Sequence, residues 1–83
     1  MVTPRDTIQL LTDVLQLGER AQSFDESTRL LGSLPELDSM AVVSILTALE
    51  ERFGLAVEDD EISAETFETV GTLHRYIVNK LPA

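Results

Sequence analysis

The chain contains no cysteine and no tryptophan, and its aromatic residues are limited to three phenylalanines and one tyrosine. The absence of cysteine excludes disulfides and thiolate metal sites. The single histidine, His74, cannot form a metal site without help from carboxylates. We assign it to a helix face with no chemical role. The few aromatic residues indicate a core made mostly of aliphatic side chains.

Long apolar runs are also missing. No run approaches the roughly 20 residues that a membrane-spanning helix requires, and the N-terminus lacks the apolar core of a signal peptide. We therefore expect a cytoplasmic protein with no membrane partner. The 83 residues are enough for one domain, which we place at residues 1–83. An apolar content of 43% is too high for a disordered chain.

Basic residues are scarce, above all in the middle of the chain. Six lysines and arginines stand against 15 acidic residues, which gives a formal net charge of −9. Residues 36–68 hold ten of the acids and a single base, Arg52. Such a surface disfavours nucleic acid and anionic membranes and favours a basic protein surface as partner. Simple solvation of the chain explains the charge equally well.

The spacing of apolar residues predicts four helices and no strand. The first helix begins after Thr3, which suits the N-cap, and ends at Gly18. A long connection from about residue 19 to residue 37 follows, and its recurring apolar residues place it across the bundle. The segment SAETF forms a short third helix, and Thr69 caps the fourth. The sequence therefore predicts an all-α four-helix bundle with a long first loop and a short third helix.

The second helix is the most apolar segment of the chain. It runs from Ser39 to Arg52 or Phe53, with Asp38 as N-cap and Gly54 near its C-terminal end. Residues at i, i+3, i+4, i+7 and i+11 form one complete core stripe, which consists of Val42, Ile45, Leu46, Leu49 and Phe53. This stripe accounts for one face of the helix and leaves the residues at its start without a role in the core.

A serine opens this helix beside two apolar residues that the core does not need. Met40 and Val43 lie one and four residues after Ser39, so they flank it and form a small exposed apolar patch. A catalytic serine needs a base within reach and an oxyanion site, but the one histidine lies on the fourth helix, so we predict no catalytic residue. The helix N-terminus instead favours a phosphate, so a phosphodiester on Ser39 would be well placed.

Two segments carry a family resemblance. ELDSMAVVSILTALEERFG, residues 36–54, resembles the phosphopantetheine attachment segment of acyl carrier proteins, in which Asp-Ser-Leu opens a helix. FETVGTLHRYI, residues 67–77, resembles the closing helix of that family, and the likeness covers nearly the whole chain. The tripeptide Asp-Ser-Met occurs by chance in many proteins, whereas motif, helix order, acidic charge and length together are specific. The resemblance implies a bundle of acyl-carrier-protein type and a carrier rather than an enzyme.

The same resemblance implies a cofactor and its attachment site. A phosphopantetheinyl transferase would move 4'-phosphopantetheine from coenzyme A onto the hydroxyl of Ser39, and the terminal thiol of that arm would hold acyl groups as thioesters. A chain without cysteine agrees with a thiol that arrives with the prosthetic group. By the same likeness, Asp38 assists recognition or metal-linked transfer by the transferase. The protein itself is expected to bind no metal.

The predicted partner surface departs from that of many fatty-acid carriers. Those carriers have acidic residues two and five positions after the modified serine, where this chain has Ala41 and Ser44. We therefore expect docking near the serine to be less ionic and more apolar. The candidate partner contacts are Met40, Val43, Glu36, Glu50 and Glu51.

The expected partners are the transferase, an acyl-loading ligase or acyltransferase, and acyl-processing enzymes with basic or apolar docking surfaces. LPELDSM, residues 34–40, is most similar to discrete carriers of exopolysaccharide- or exosortase-associated clusters, which favours a dedicated pathway within lipid, polyketide or related biosynthesis. We expect a monomer.

Two other functions stay open. An aminoacyl or peptidyl carrier would share the fold, and the sequence discriminates poorly between these cargoes. An acidic helical module could instead dock on a basic partner without any prosthetic group. The acidic segment at residues 58–61 could bind a divalent cation, although a solvated turn that helps partner recognition is favoured. The acyl group and the pathway are not determined by the sequence.

Overall fold

In the part of the chain that the structure describes, side chains cap the first turns of three α-helices. The structure is a computed structural model that describes residues 2–35, 37–58 and 62–81. Its α-helices are α1 (Pro4–Leu15), α2 (Ser39–Phe53) and α3 (Val70–Lys80). Thr3 and Thr69 are the N-caps of α1 and α3 that the sequence predicts, and the structure shows that each also forms a capping box. No helix within the described ranges is both long and apolar enough to cross a membrane.

The described residues also contain two short 3₁₀ helices. The first spans Gly18–Ser23 and the second spans Ala64–Phe67, where Ser63 forms a capping box. The second is the predicted short third helix. Arg29 and Thr69 form an isolated antiparallel bridge, and the described part of the chain contains no extended strand. The predicted all-α four-helix fold is therefore confirmed, with the short helix in 3₁₀ rather than α geometry.

The end of α1 differs from the prediction. The helix ends at Leu15, and Gln16 adopts the left-handed conformation at the C-cap with φ of 56°. Gly18, which was expected to terminate α1, begins the first 3₁₀ helix instead. The chain turns early because Leu17 leaves the helical path and enters the core, where only 3% of its surface is exposed. Burial of this leucine offsets the backbone strain at Gln16.

The core is aliphatic, as predicted, apart from Phe67. α1 packs against both α2 and α3. The long connection adds Leu30, Leu34 and Leu37 to the core, so it lies across the bundle as predicted. The apolar residues that have no exposed surface are Leu10, Leu11, Leu30, Ile45, Leu49, Val70, Leu73 and Ile77.

The turn at the middle of the connection is ordered by Asp25. Its carboxylate accepts hydrogen bonds from the backbone N–H of Ser27 at 2.9 Å and from the Ser27 hydroxyl at 2.7 Å. These bonds favour the ionised form and lower the pKa of Asp25. The backbone N–H of Asp25 donates in turn to Thr28 Oγ1 at 2.8 Å. This part of the connection is therefore a turn that is held by hydrogen bonds among residues 25–28.

Backbone hydrogen bonds fasten the same connection to the start of α3. Four of them join residues 26–31 to residues 67–71, and the shortest runs from the Gly71 N–H to the Glu26 carbonyl at 2.8 Å. Gly71 has ordinary helical geometry, so it is required for the close approach and not for its φ angle. A Cβ at this position would lie 2.9 Å from the Glu26 carbonyl oxygen.

We expect Gly71→Ala to lower the free energy of unfolding by about 1–3 kcal/mol, because the added methyl group overlaps a backbone atom that cannot move alone. Alanine gains about 1 kcal/mol over glycine in a helix interior, but Gly71 lies in the first turn of α3, so this gain offsets only part of the cost. Urea unfolding followed by circular dichroism measures it. Asn79→Ala, an exposed change in the same helix, is the control and should stay within about 0.5 kcal/mol of the parent. Unchanged stability of Gly71→Ala would contradict a tight contact between the connection and α3.

Candidate functional site

Asp38 fixes the first turn of α2. Its backbone is extended, with φ of −117° and ψ of −174°, and its Oδ1 accepts a hydrogen bond from the Ala41 N–H at 2.8 Å. Its carbonyl accepts the first intrahelical hydrogen bond, from the Val42 N–H at 2.9 Å. Asp38 is therefore the N-cap that its position predicts, and it places a carboxylate at the positive end of the helix.

Ser39 is the first residue of α2, and its side chain is exposed. Its own N–H and that of Met40 belong to the first turn, where helical N–H groups lack intrahelical acceptors. Within the described ranges, no residue accepts a hydrogen bond from either group. The site therefore combines an accessible hydroxyl with two available backbone donors and the positive end of the helix dipole. This arrangement suits a phosphate ester.

The two apolar residues after Ser39 point away from the core. Met40 is 72% exposed and Val43 is 56% exposed, whereas Ile45 and Leu49 on the opposite face have no exposed surface. The remaining members of the predicted core stripe are half-buried and pack against the core; they are Val42, Leu46 and Phe53. α2 thus divides into a core face and an uncovered apolar patch beside the serine.

Two of the acidic residues predicted to contact partners lie at the far end of α2. Glu50 and Glu51 are exposed in its last turn, and Gly54 closes the helix with φ of 68°. Arg52 turns toward α1, where its Nη1 pairs with Asp13 Oδ2 at 2.9 Å. Of the remaining acidic candidates, Glu36, Asp59, Asp60 and Glu61 lie outside the described residues.

Comparison with known proteins identifies the family. Residues 6–77 match the family model described as the phosphopantetheine attachment site. The chain belongs to the acyl carrier protein family. Its cofactor is 4'-phosphopantetheine, and the predictions of family, fold and cofactor are confirmed.

Relatives of this carrier support the assignment. An acyl carrier protein of Wolinella succinogenes is 38% identical over 64 residues, which cover 77% of this chain and 80% of the relative. An acyl carrier protein of Acidothermus cellulolyticus is 39% identical over 44 residues, which cover 53% and 50% of the two chains. The solution NMR structure of a holo acyl carrier protein from Nitrosomonas europaea superposes with a TM-score of 0.87, at 52% identity, over 96% of both chains.

The start of α2 in this carrier fits the prosthetic group of its family. The exposed Ser39 hydroxyl offers the point of attachment, and the N–H groups of Ser39 and Met40 offer donors to the phosphate. Members of the family are modified by phosphopantetheinyl transferases and interact with partner enzymes. The roles of Ser39, Asp38, Met40 and Val43 in this chain stay predictions. No cluster of three or more potential metal ligands occurs among residues 2–35, 37–58 and 62–81 of the carrier.

His74 was assigned no chemical role, but it has a structural one that the sequence did not indicate. Its Nδ1 lies 3.0 Å from the Oγ1 of Thr7, a fully buried side chain of α1, so this hydrogen bond links α1 to α3 in the carrier. The sequence does indicate that Thr7 is buried, because Thr7 precedes Leu10 and Leu11 by three and four residues on the buried face of α1. A polar residue at such a position needs a partner.

The capping hydrogen bond of Asp38 can be tested separately from the negative charge of its carboxylate. We expect Asp38→Ala to lower the free energy of unfolding by about 1 kcal/mol, because the Ala41 N–H loses its acceptor. Asp38→Asn keeps a capping oxygen and should cost only a few tenths of a kcal/mol. Thermal unfolding of both variants checks this expectation. Equal losses in the two variants would show that the carboxylate charge, and not the capping bond, stabilises the start of the helix.

Proposed function

We propose that this protein carries acyl groups as thioesters on a 4'-phosphopantetheine arm attached to Ser39 and delivers them to partner enzymes. The exposed hydroxyl of Ser39 at the first position of α2 is the observation that carries the proposal. When bound, the arm supplies a terminal thiol, which the cysteine-free chain lacks. The chain's own residues present the hydroxyl, cap the helix through Asp38 and offer a docking surface. The protein therefore serves as a carrier and catalyses no reaction itself.

The proposed partners are a phosphopantetheinyl transferase, an acyl-loading ligase or acyltransferase, and acyl-processing enzymes. Their docking surfaces are apolar and basic, because the carrier exposes Met40 and Val43 and ends α2 with Glu50 and Glu51. The carrier acts as a cytoplasmic monomer of one domain in a dedicated pathway. The neutral residues Ala41 and Ser44 on α2 favour such a pathway over general fatty-acid synthesis.

Intact mass spectrometry tests the proposal. The full chain is incubated with coenzyme A and a broad-specificity phosphopantetheinyl transferase, and a gain of one phosphopantetheine is expected. The modified protein is then offered to acyl-AMP ligases and to adenylation domains that activate amino acids. Loading by the ligases alone supports an acyl cargo, whereas loading by the adenylation domains alone makes the protein an aminoacyl carrier. No mass gain would overturn the proposal in favour of an interaction module without an arm.

A further inference from the structure

A segment with buried side chains leads directly into the first turn of α2. Three of its leucines, which we call the leucine segment, lie in the core: Leu30, Leu34 and Leu37. Their exposed fractions are 0%, 9% and 7%. The last of them stands immediately before Asp38, the N-cap of α2. The chain therefore enters this helix from a side chain that is fixed in the core.

Backbone hydrogen bonds connect each leucine of this segment to the next. The N–H of Leu34 donates to the Leu30 carbonyl at 3.0 Å, and the N–H of Leu37 donates to the Leu34 carbonyl at 3.1 Å. At the other end, the N–H of Leu30 donates to the Glu68 carbonyl at 2.9 Å, next to Thr69, the N-cap of α3. The leucine segment therefore connects the start of α3 to the start of α2.

Leu37 also occupies a position that sets the direction in which the chain enters α2. It precedes the N-cap, and Val42 is the fourth residue of the helix. These are the two positions of a hydrophobic staple, in which a pair of apolar side chains fixes the entry angle of the chain. Leu37 belongs to the core and Val42 packs against that core. The exposed Ser39 lies between them in the chain, so its placement depends on both.

We propose that Leu37 is a positioning residue, which holds Ser39 in place for attachment of the prosthetic group. When this leucine is lost, the first turn of α2 opens in most molecules, and only the remainder present the serine correctly. A partner that requires a minor conformation binds more weakly in proportion to the population of that conformation. Carrier that has bound is still modified at the parent rate. This inference rests on the proposed attachment to Ser39 and adds the residue that orders the site.

The test uses the full chain, coenzyme A and a broad-specificity phosphopantetheinyl transferase. KM and kcat for the carrier are measured from the mass gain, under conditions in which circular dichroism shows each variant folded. We expect Leu37→Ala to raise KM about tenfold and to leave kcat unchanged, which corresponds to correct presentation of the serine by about one molecule in ten. Leu37→Met conserves most of the side-chain volume and should keep the parent KM.

Leu15→Ala is the matched control, because it removes the same atoms from a leucine of similar burial. Leu15 is 9% exposed, against 7% for Leu37. It lies two residues after Asp13, which pairs with Arg52 in the last turn of α2. Ser39 and Arg52 are 13 residues apart, which corresponds to about 20 Å along the helix axis. This variant should therefore keep the parent KM and kcat.

Amide hydrogen exchange tests the same inference in the parent protein. The N–H groups of Leu34 and Leu37, which are hydrogen-bonded within the segment, should exchange about a hundredfold more slowly than in an unfolded chain. In Leu37→Ala, the Ala41 N–H that Asp38 caps should exchange about tenfold faster than in the parent. If Leu37→Ala does not fold, the exchange rates of the parent decide.

Three results would overturn the inference. They are exchange of the Leu34 and Leu37 N–H groups at the rate of an unfolded chain, a parent-like KM for Leu37→Ala, and an equal rise in KM for Leu15→Ala. The last result would show that the loss of modification follows overall stability and not the placement of Ser39. Failure of the parent chain to gain mass would overturn the proposed function itself, and the inference with it.

Discussion

Replacing Ser39 by alanine is expected to abolish modification by coenzyme A and a phosphopantetheinyl transferase, while the protein stays folded. A phosphodiester needs a hydroxyl, and at the start of α2 the exposed Ser39 provides it. The helix itself does not depend on this hydroxyl, since its first turn is capped by Asp38 and no described residue hydrogen-bonds the Ser39 side chain. Intact mass spectrometry should show one added phosphopantetheine on the parent and none on Ser39→Ala.

The control for this experiment is Ser44→Ala. Ser44 is a second exposed serine on α2, one and a half turns further along, where the helix no longer offers unpaired N–H groups. Its variant should gain the same mass as the parent. Thermal unfolding of both variants should remain within about 0.5 kcal/mol of the parent. Mass gain by Ser39→Ala, or its loss in Ser44→Ala, would move the attachment site away from the start of the helix.

Most of the fold and the placement of the candidate site follow from local patterns. The periodic stripe ending at Phe53 specifies which side of α2 is buried, and the complementary residues are therefore exposed. Asp38, Ser63 and Thr69 mark helix starts through bonds to residues three positions away, so the sequence contains all that is needed to place them. This is why the sequence alone predicts the exposure of Met40 beside Ser39.

The features that were missed depend on residues far apart in sequence. Thr7 and His74 are 67 positions apart, and nothing local to His74 indicates that α3 brings it against a buried hydroxyl. The pair between Arg52 and Asp13 likewise depends on how α1 and α2 cross. The early end of α1 has the same origin, because burial of Leu17 by other elements overrides the local preference for Gly18 as terminator. Local patterns specify where helices form. Tertiary packing decides where α1 ends and which side chains pair between helices.

Replacing Leu49 by alanine is expected to have the largest effect on stability. Leu49 has no exposed surface and lies on the face of α2 that α1 covers. Removal of its buried carbons loses transfer free energy and leaves a cavity, and such changes cost about 2–5 kcal/mol. Small domains have roughly 5–15 kcal/mol of stability, so this loss is a large fraction of the total. Urea unfolding followed by circular dichroism should show a lower midpoint with a similar slope.

Val43→Ala provides the comparison within the same helix. Its side chain is 56% exposed and outside the core stripe, so its loss should change the free energy of unfolding by no more than about 0.5 kcal/mol. The two variants should differ in their free energies of unfolding only if Leu49 and Val43 lie on opposite faces of a packed helix. If Leu49→Ala cost less than about 1 kcal/mol, α2 would be more loosely packed against α1 than the structure shows. The start of α2 would then not be a rigid platform for Ser39.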